Sequence, residues 1–454
     1  MSTQHTQQLD QVRRGIDSAR AELASKIGAA SPYRSMGAIR QIRSNMIFAD
    51  VGHATIGGLC SIVRPNGARL GLAEVIGFAD GVSCLVPLEE LPQLASDCGV
   101  IRLEEVATAE TGASIMGCVV NFRGQITQRL AGGSFGFSRR APLRAAPPPP
   151  DQRRAITDPF PTGVTAIDTM LTCGIGQRMA IMGAAGAGKS SLVAQIVQGS
   201  KEADVIVVGL IGERGREVGQ FASQLQRLGA AERSIIVAST SDRPAVERLN
   251  SALAAITIAE AQRDEGKRVL LIIDSLTRVA RAIRELGLAM GEPPARRGFP
   301  PSVFSELPKM IERCGSAAYG SITAFFTVLA EGDIETDPIV EEVQSLVDGH
   351  IYLSPEVARS GRYPAIDFLK SQSRLMPEFV SPEHLSLARQ IRARLAAYQK
   401  FELLIRVGEY QPGADQEIDA AIQTFRAVQA SFSQDLAEAH DFGASVALAE
   451  SVLA

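Results

Sequence analysis

The chain has 454 residues, 45% of them hydrophobic and 21% charged, with a formal net charge of −4. This is the balance of a soluble, folded protein with more than one core, and it excludes a disordered chain. The acidic balance, the absence of Trp and an aromatic content of 5% argue against a nucleic-acid partner, which needs basic patches and stacking platforms.

The first 28 residues read as a helix. Leu9, Val12, Ile16, Ala19 and Leu23 step by three and four and line one face. Gly15 weakens it by about 1 kcal/mol relative to Ala. So narrow a stripe leaves two readings, packing on its own domain or a handle for a partner's helices. Residues 1–30 are therefore set apart as a helical, partner-binding segment. The stretch "MSTQHTQQLDQVRRGID" has no apolar core of a signal peptide, and no run of eighteen apolar residues occurs anywhere. Work at a membrane would go through a partner.

From Met36 to Val120 short β-rich runs follow one another, among them "GLCSIVR", "LAEVIGFADGVSCLVPL" and "SIMGCVVN", with Gly, Asn and Asp between them. That texture predicts a small β-barrel or sandwich over 31–120. Residues 121–157 read as a connector, because the four prolines of "RRAPLRAAPPPPDQRR" fit neither a helix nor a central strand.

Beyond residue 158 strands and helices alternate. The apolar runs Gln177–Gly183, Asp204–Gly212, Arg233–Thr240, Arg268–Asp274, Ser321–Ala330 and Gly349–Ser354 predict a parallel sheet covered on both faces, with helices at Val218–Leu228 and Pro244–Arg263. This α/β core is placed at 158–378. From 379 to 454 only helical periodicity remains, and after Arg426 the chain carries no Lys or Arg. The six cysteines are scattered without CxxC spacing, as are the five histidines, so they read as reduced core residues rather than a metal site.

Three motifs carry chemistry. "GAAGAGKS" fits G-x-x-x-x-G-K-[ST] between a predicted strand and a predicted helix, the setting of a P-loop or Walker A sequence. Gly183, Ala184, Ala185, Gly186, Ala187 and Gly188 let backbone N–H groups approach phosphate oxygens. Lys189 adds a charge toward the β- and γ-phosphates, Ser190 offers a hydroxyl to Mg²⁺, and Ser191 completes the candidate nucleotide-binding set. Asp274, directly after an apolar strand, is the candidate second magnesium ligand; its alternative role is the cap of the helix that follows. "GERGRE" places Glu213 first after another strand, as candidate base, with Arg214 as candidate γ-phosphate contact. The alternative there is a solvated, salt-bridged helix start.

The stretches "GERGREV", "DSLTRVARAIRELGLAMGEPPARRGFPPSVF", "GSITAFFTVLAEGD" and "YPAIDFLKSQSR" resemble the type III secretion ATPases, both injectisome and flagellar. More distantly the chain is similar to the β subunit of F-type ATP synthases. The likeness is close over 159–374 and looser to the C-terminus. It implies an N-terminal β-barrel, a RecA-like P-loop ATPase core and a C-terminal helical domain. It also implies Mg-dependent ATP hydrolysis in a ring of six, in the cytoplasm at the inner-membrane base of a secretion apparatus. Glu213 matches the family's catalytic glutamate and Asp274 its Walker B aspartate. Arg374 matches the arginine lent to a neighbouring subunit, and Tyr363 the aromatic stacked on adenine, although spacing alone leaves Tyr363 open as a core aromatic. Leu286–Phe299, with Pro293, Pro294, Arg296 and Arg297, matches a loop facing the central pore. The implied partners are a stator-like regulator on the N-terminal segment, a central stalk in the pore, an export gate, chaperones and secreted proteins. "EPPARRGFPPSVF" separates the chain from rotary synthase subunits and from Rho, and the full set of hydrolytic residues disfavours a non-catalytic platform. The N-terminal third keeps little of the family pattern before the proline connector, where this chain reads "MGCVVNFRGQITQRLAGG".

Overall fold

The computed structural model describes residue 20 and residues 35–43, 46–132, 136, 138–184, 186–330, 332 and 334–453. The helix expected over the first 28 residues lies, but for residue 20, outside the described residues, as does Ala185 of the predicted phosphate loop.

Strands β1 (Met36–Arg43), β2 (Met46–Ala49), β3 (Leu59–Val63), β4 (Arg69–Ala79), β5 (Val82–Pro87) and β6 (Gly99–Glu104) close into a barrel in the order β1-β2-β5-β4-β3-β6. Ile39, Ile47, Cys60, Ile62, Val75, Leu85 and Val100 meet in its core. Closure leaves no strand edge open for stray pairing.

The barrel ends sixteen residues before the expected boundary at 120, by the last residue of β6. β7 (Thr108–Gly112) pairs instead with β10 (Ser138–Pro142), inside the stretch expected to be a bare connector. β8 (Cys118–Val120) and β9 (Ile126–Arg129) form a hairpin, and β8 adds in parallel to the α/β sheet. "SIMGCVVN" is thus a strand of the second unit and not of the barrel. Its three buried residues lack the length for a periodicity, and their partner lies more than a hundred positions away.

The remaining strands are β11 (Arg178–Gly183), β12 (Val205–Glu213), β13 (Ser234–Thr240), β14 (Arg268–Asp274), β15 (Gly315–Ser316), β16 (Ser321–Leu329), β17 (Gly349–Leu353) and β18 (Gln372–Ser373). With β8 and β9 they make a ten-stranded sheet among the described residues, ordered β18-β17-β11-β16-β14-β12-β13-β8-β9, with β15 on β16. The six predicted core strands all appear, within two residues of their expected ends.

The α-helices with described bounds are α1 (Thr165–Met170), α2 (Lys189–Gly199), α3 (Gly215–Arg227), α4 (Ala245–Asp264), α5 (Leu276–Ala289), α6 (Pro301–Glu312), α7 (Pro338–Leu346), α8 (Pro355–Arg359), α9 (Pro382–Arg406), α10 (Gln416–Ser431) and α11 (Phe442–Leu453). Three of them share one start signal: Asp337, Ser354 and Ser381 accept hydrogen bonds from the first turn, each followed by Pro at the first helical position. α4, buried on nearly all sides, packs on β12, β13 and β14. On the other face Ile181, Ile206, Val208 and Ile236 join α2 and α3 in one cluster. That cluster runs on through Phe368 into Ile391, Val428, Phe432 and Val452 of the C-terminal region. The three C-terminal helices therefore share a core with the sheet, and Phe368 meets Phe432 edge to face at 5.6 Å.

Candidate active site

Parallel register brings the three motifs to one edge. β11 pairs with β16, β16 with β14 and β14 with β12, so Gly183, Asp274 and Glu213 all sit at C-terminal strand ends. This is the edge at which open α/β sheets bind ligands.

The loop after β11 turns on two glycines. Gly186 and Gly188 have φ of 79° and 90°, which side chains rarely tolerate. Gly188 caps α2 without any side-chain bond, leaving first-turn N–H groups for an anion. Lys189 Nζ donates to the carbonyls of Gly183 (2.8 Å) and Ala184 (2.7 Å). Burial lowers its pKa to about 8, against the opposing pull of Asp274 and Glu213. Ala187 is buried, and its N–H donates to the Ala184 carbonyl.

Ser190, Ser191, Glu213, Glu217 and Asp274 line one cavity of about 360 Å³, with Leu210, Phe221 and Leu436 on its walls. Burial pushes the Glu213 pKa up to about 7. A hydrogen bond with Glu217 and the charge of Asp274 push the same way, and Arg278 opposes them. Asp274 is likewise raised by burial, held back by the Thr327 hydroxyl that donates to it at 2.5 Å. The cap of α5 is Ser275, so Asp274 does not serve the helix as its side-chain cap.

Arg214 is the exposed residue just before α3, and the guanidinium on Glu213 is another one. Arg278 Nε and Nη2 donate to the two Glu213 oxygens at 2.8 and 3.1 Å. It passes directly beneath Gly212, where an added Cβ would stand 2.8 Å from Arg278 Cδ. Sequence reasoning missed Arg278. The available signal was its position one helical turn beyond Asp274.

Tyr363 is 49% exposed, so it is no core aromatic. Its carbonyl accepts from the Gln434 N–H at 2.7 Å. Residues 434–437 form a strap, also missed in the sequence. Gln195 of α2 donates to the Gln434 and Asp435 carbonyls and Gln198 to that of Ala437. The loop between α5 and α6 is pinned through Arg296 to Glu341 (3.1 Å) and Arg297 to the Thr336 hydroxyl (2.8 Å), while Arg284 lies over Phe299.

Arg374 is not at this edge. It follows β18, which pairs with the first residues of β17, and β17 in turn runs parallel to β11 with Gly349 beside Met179 and Leu353 beside Gly183. Arg374 therefore belongs to the opposite end of the sheet, where its Nη2 donates to the Gln344 carbonyl at 2.9 Å.

Comparison with known proteins decides the family. The model of the ATP synthase alpha/beta family, nucleotide-binding domain, matches residues 163–373, and that of the T3SS EscN ATPase C-terminal domain matches 380–448. The type 3 secretion system ATPase of Xanthomonas euvesicatoria is 42% identical over 412 residues, 91% of this chain and 92% of that protein. The chain belongs to the type 3 secretion system ATPases. The assembled ATPase EscN from enteropathogenic E. coli superposes with a TM-score of 0.86 at 42% identity, covering 92% of this chain and all of that one. EscN in complex with its central stalk EscO aligns with a TM-score of 0.83 at 41% identity, over 92% of this chain and all of that one.

As a secretion ATPase the chain is a nucleotide hydrolase, and its donor set fits the magnesium that such hydrolysis uses. Ser190 and Asp274 both line one cavity and carry the hard oxygen donors that such an ion takes. Mg²⁺ favours such a site, with one or two protein ligands beside phosphate and water. No helix among the described residues is long and apolar enough to cross a membrane.

Proposed function

We propose that the chain hydrolyses Mg²⁺-ATP at the seam between two copies of itself in a ring of six. Turnover releases chaperones, unfolds proteins and drives their export through a type III secretion apparatus. One observation carries the seam: the phosphate loop and Arg374 stand at opposite ends of one sheet. At about 3.3 Å per residue the run from Met179 to Gly183 alone spans roughly 13 Å. Arg374 therefore serves a neighbour's nucleotide and not its own.

Within one copy the roles follow from chemistry. Backbone N–H groups of Gly183–Ser191 and the Lys189 ammonium hold the phosphates, and Tyr363 receives the adenine. Ser190 and Asp274 hold Mg²⁺, which supplies charge neutralisation across the phosphates. Glu213 orients the attacking water and takes its proton, a task suited to a base poised near 7. Arg278 fixes the Glu213 carboxylate, and Arg214 contacts the γ-phosphate. Charge from the neighbour's Arg374 stabilises the transition state.

EscN assembles and carries a central stalk, which supports a ring here with the Leu286–Phe299 loop facing the stalk. The ring sits in the cytoplasm, peripheral to the inner membrane through its partners. Residues 1–30 dock a stator-like regulator, and the export gate, chaperones and secreted proteins are its other partners. The flagellar reading takes second place, because the relatives named above serve type III secretion.

The test is turnover per subunit across protein concentration. Because Arg374 is borrowed, the rate rises steeply as copies assemble. A dilute monomer hydrolysing at the full per-subunit rate overturns the seam. For the N-terminal segment, deletion of residues 1–28 abolishes capture by the regulator in a pulldown while basal turnover persists. Undiminished capture rejects that docking role.

A further inference from the structure

The end of the sheet opposite the phosphate loop carries a charged network that hydrolysis at a single site does not use. Arg178, at the start of β11, donates from its backbone N (2.9 Å), Nε (3.1 Å) and Nη2 (3.0 Å) to the Asp348 carboxylate. The Asp348 N–H returns a bond to the Arg178 carbonyl at 2.9 Å. The remaining guanidinium nitrogen of Arg178 reaches Glu312, the last residue of α6, at 2.6 Å. Glu312 in turn holds Arg153 of the proline connector at 2.9 Å. One group of Asp348 is left, its carbonyl, and this accepts the backbone N–H of Arg374 at 2.9 Å. Gln177 closes the arrangement from beside Arg178: its Nε2 donates to the Asp348 carbonyl at 3.4 Å and to the Ser373 hydroxyl at 3.1 Å.

We infer that Asp348 is the positioning residue of the arginine lent to the neighbouring site, and that Arg178 and Glu312 act through it. The inference rests on the proposed in-trans role of Arg374. The side chain of Arg374 is exposed, and among the described residues its guanidinium hydrogen-bonds the Gln344 carbonyl. Its aim across a seam therefore depends on where its backbone is held. The two elements flanking that backbone, β17 and β18, are short, and β18 has only two residues. Asp348 precedes β17 directly and is fixed through all its polar groups. Arg178 and Asp348 are both largely buried, with side chains 15% and 18% exposed, so the pair is shielded from water and salt. Glu312 ties the same point to α6, the helix that follows the loop after α5.

The test uses full-length protein in mixed rings. Asp348→Asn keeps the volume and removes the charge. Alone it lowers kcat by roughly 10–100-fold, the cost of misplacing a reacting group by about 1 Å. Its KM for ATP and its binding of a fluorescent ATP analogue stay within about twofold, because its own phosphate loop is intact. Mixed with Lys189→Ala, whose phosphate loop is dead and whose finger is sound, it regains activity, since the neighbour now supplies a well-placed arginine. Arg374→Ala mixed with Lys189→Ala is the reference. If the reference pair recovers and the Asp348→Asn pair does not, the positioning role falls. If the reference pair itself fails to recover, the in-trans reading falls first. Glu312→Gln, at the half-exposed corner of the network, gives a fall of about 2–5-fold with the same recovery on mixing. It decides the matter should Asp348→Asn not fold, as judged by circular dichroism, and no fall or no recovery from it overturns the inference.

Discussion

The two ends of the central sheet treat charge in opposite ways. At the C-terminal end Glu213 and Asp274 line one cavity with Lys189 within electrostatic reach, and burial moves all three toward their neutral forms. At the N-terminal end Arg178 is also buried, yet its partners Asp348 and Glu312 outweigh that and hold its pKa above the ordinary arginine value. The first arrangement keeps charges incompletely compensated, as a site must if it is to stabilise charge arriving on a substrate. The second compensates them fully, as a scaffold does. Strand chemistry is alike at both ends, so the difference comes from the pairing of side chains. The exception is Arg374, which sits on the scaffold end and is proposed to do chemistry in the next subunit.

The largest expected effect tests that exception. Arg374→Ala lowers kcat by about 10³–10⁵ in assembled protein while nucleotide binding, read by equilibrium titration, is retained. Turnover near the parent rate would return Arg374 to the scaffold and make the two ends functionally separate. Next comes Glu213→Gln, with a fall of about 10²–10⁴ measured in single-turnover hydrolysis and no loss of thermal stability. A large drop in melting temperature instead would show that Glu213 is held for structure. Arg278→Lys follows. A lysine keeps the charge and loses the fork that meets both Glu213 oxygens, so kcat falls by about tenfold with little change in KM. An unchanged kcat would mean that the bidentate pair is incidental.

What was readable in the sequence divides along the same line. β11, β12, β14 and β16 announce themselves because both faces are buried, so that apolar residues run without alternation and the motif residues stand just past the run. The phosphate loop is legible because glycine, lysine and hydroxyl occur at fixed local spacing. The scaffold end was illegible for a physical reason: Arg178 and Asp348 lie 170 positions apart, and nothing in either neighbourhood marks them as partners. Arg278 lay hidden for a different reason. "SLTRVARAIRE" offers Arg278, Arg281 and Arg284 at helical spacing, and only the geometry shows which of them passes under Gly212 to reach Glu213. The strap at Gln434 is invisible because its bonds are to backbone carbonyls, which any sequence supplies.

The smallest expected effect is the pH dependence, and it sharpens the contrast from the catalytic side. Glu213, raised to about 7, must be ionised to act as a base, so kcat/KM rises with pH up to about 7. Lys189, lowered to about 8, must be charged to hold phosphate, so kcat/KM declines above about 8. Each limb changes by about tenfold per pH unit outside that interval, and by only about twofold within it. The limbs move in directions fixed by their causes. Glu217→Gln takes away an acid whose hydrogen bond raises the Glu213 pKa, so the acid limb shifts to lower pH. Arg278→Gln takes away the cation that lowers it, so the same limb shifts to higher pH. Opposite shifts in the two variants, with the alkaline limb nearly still, would show that the acid limb belongs to Glu213. Parallel shifts would assign it to another group and detach the perturbed carboxylate from the chemistry.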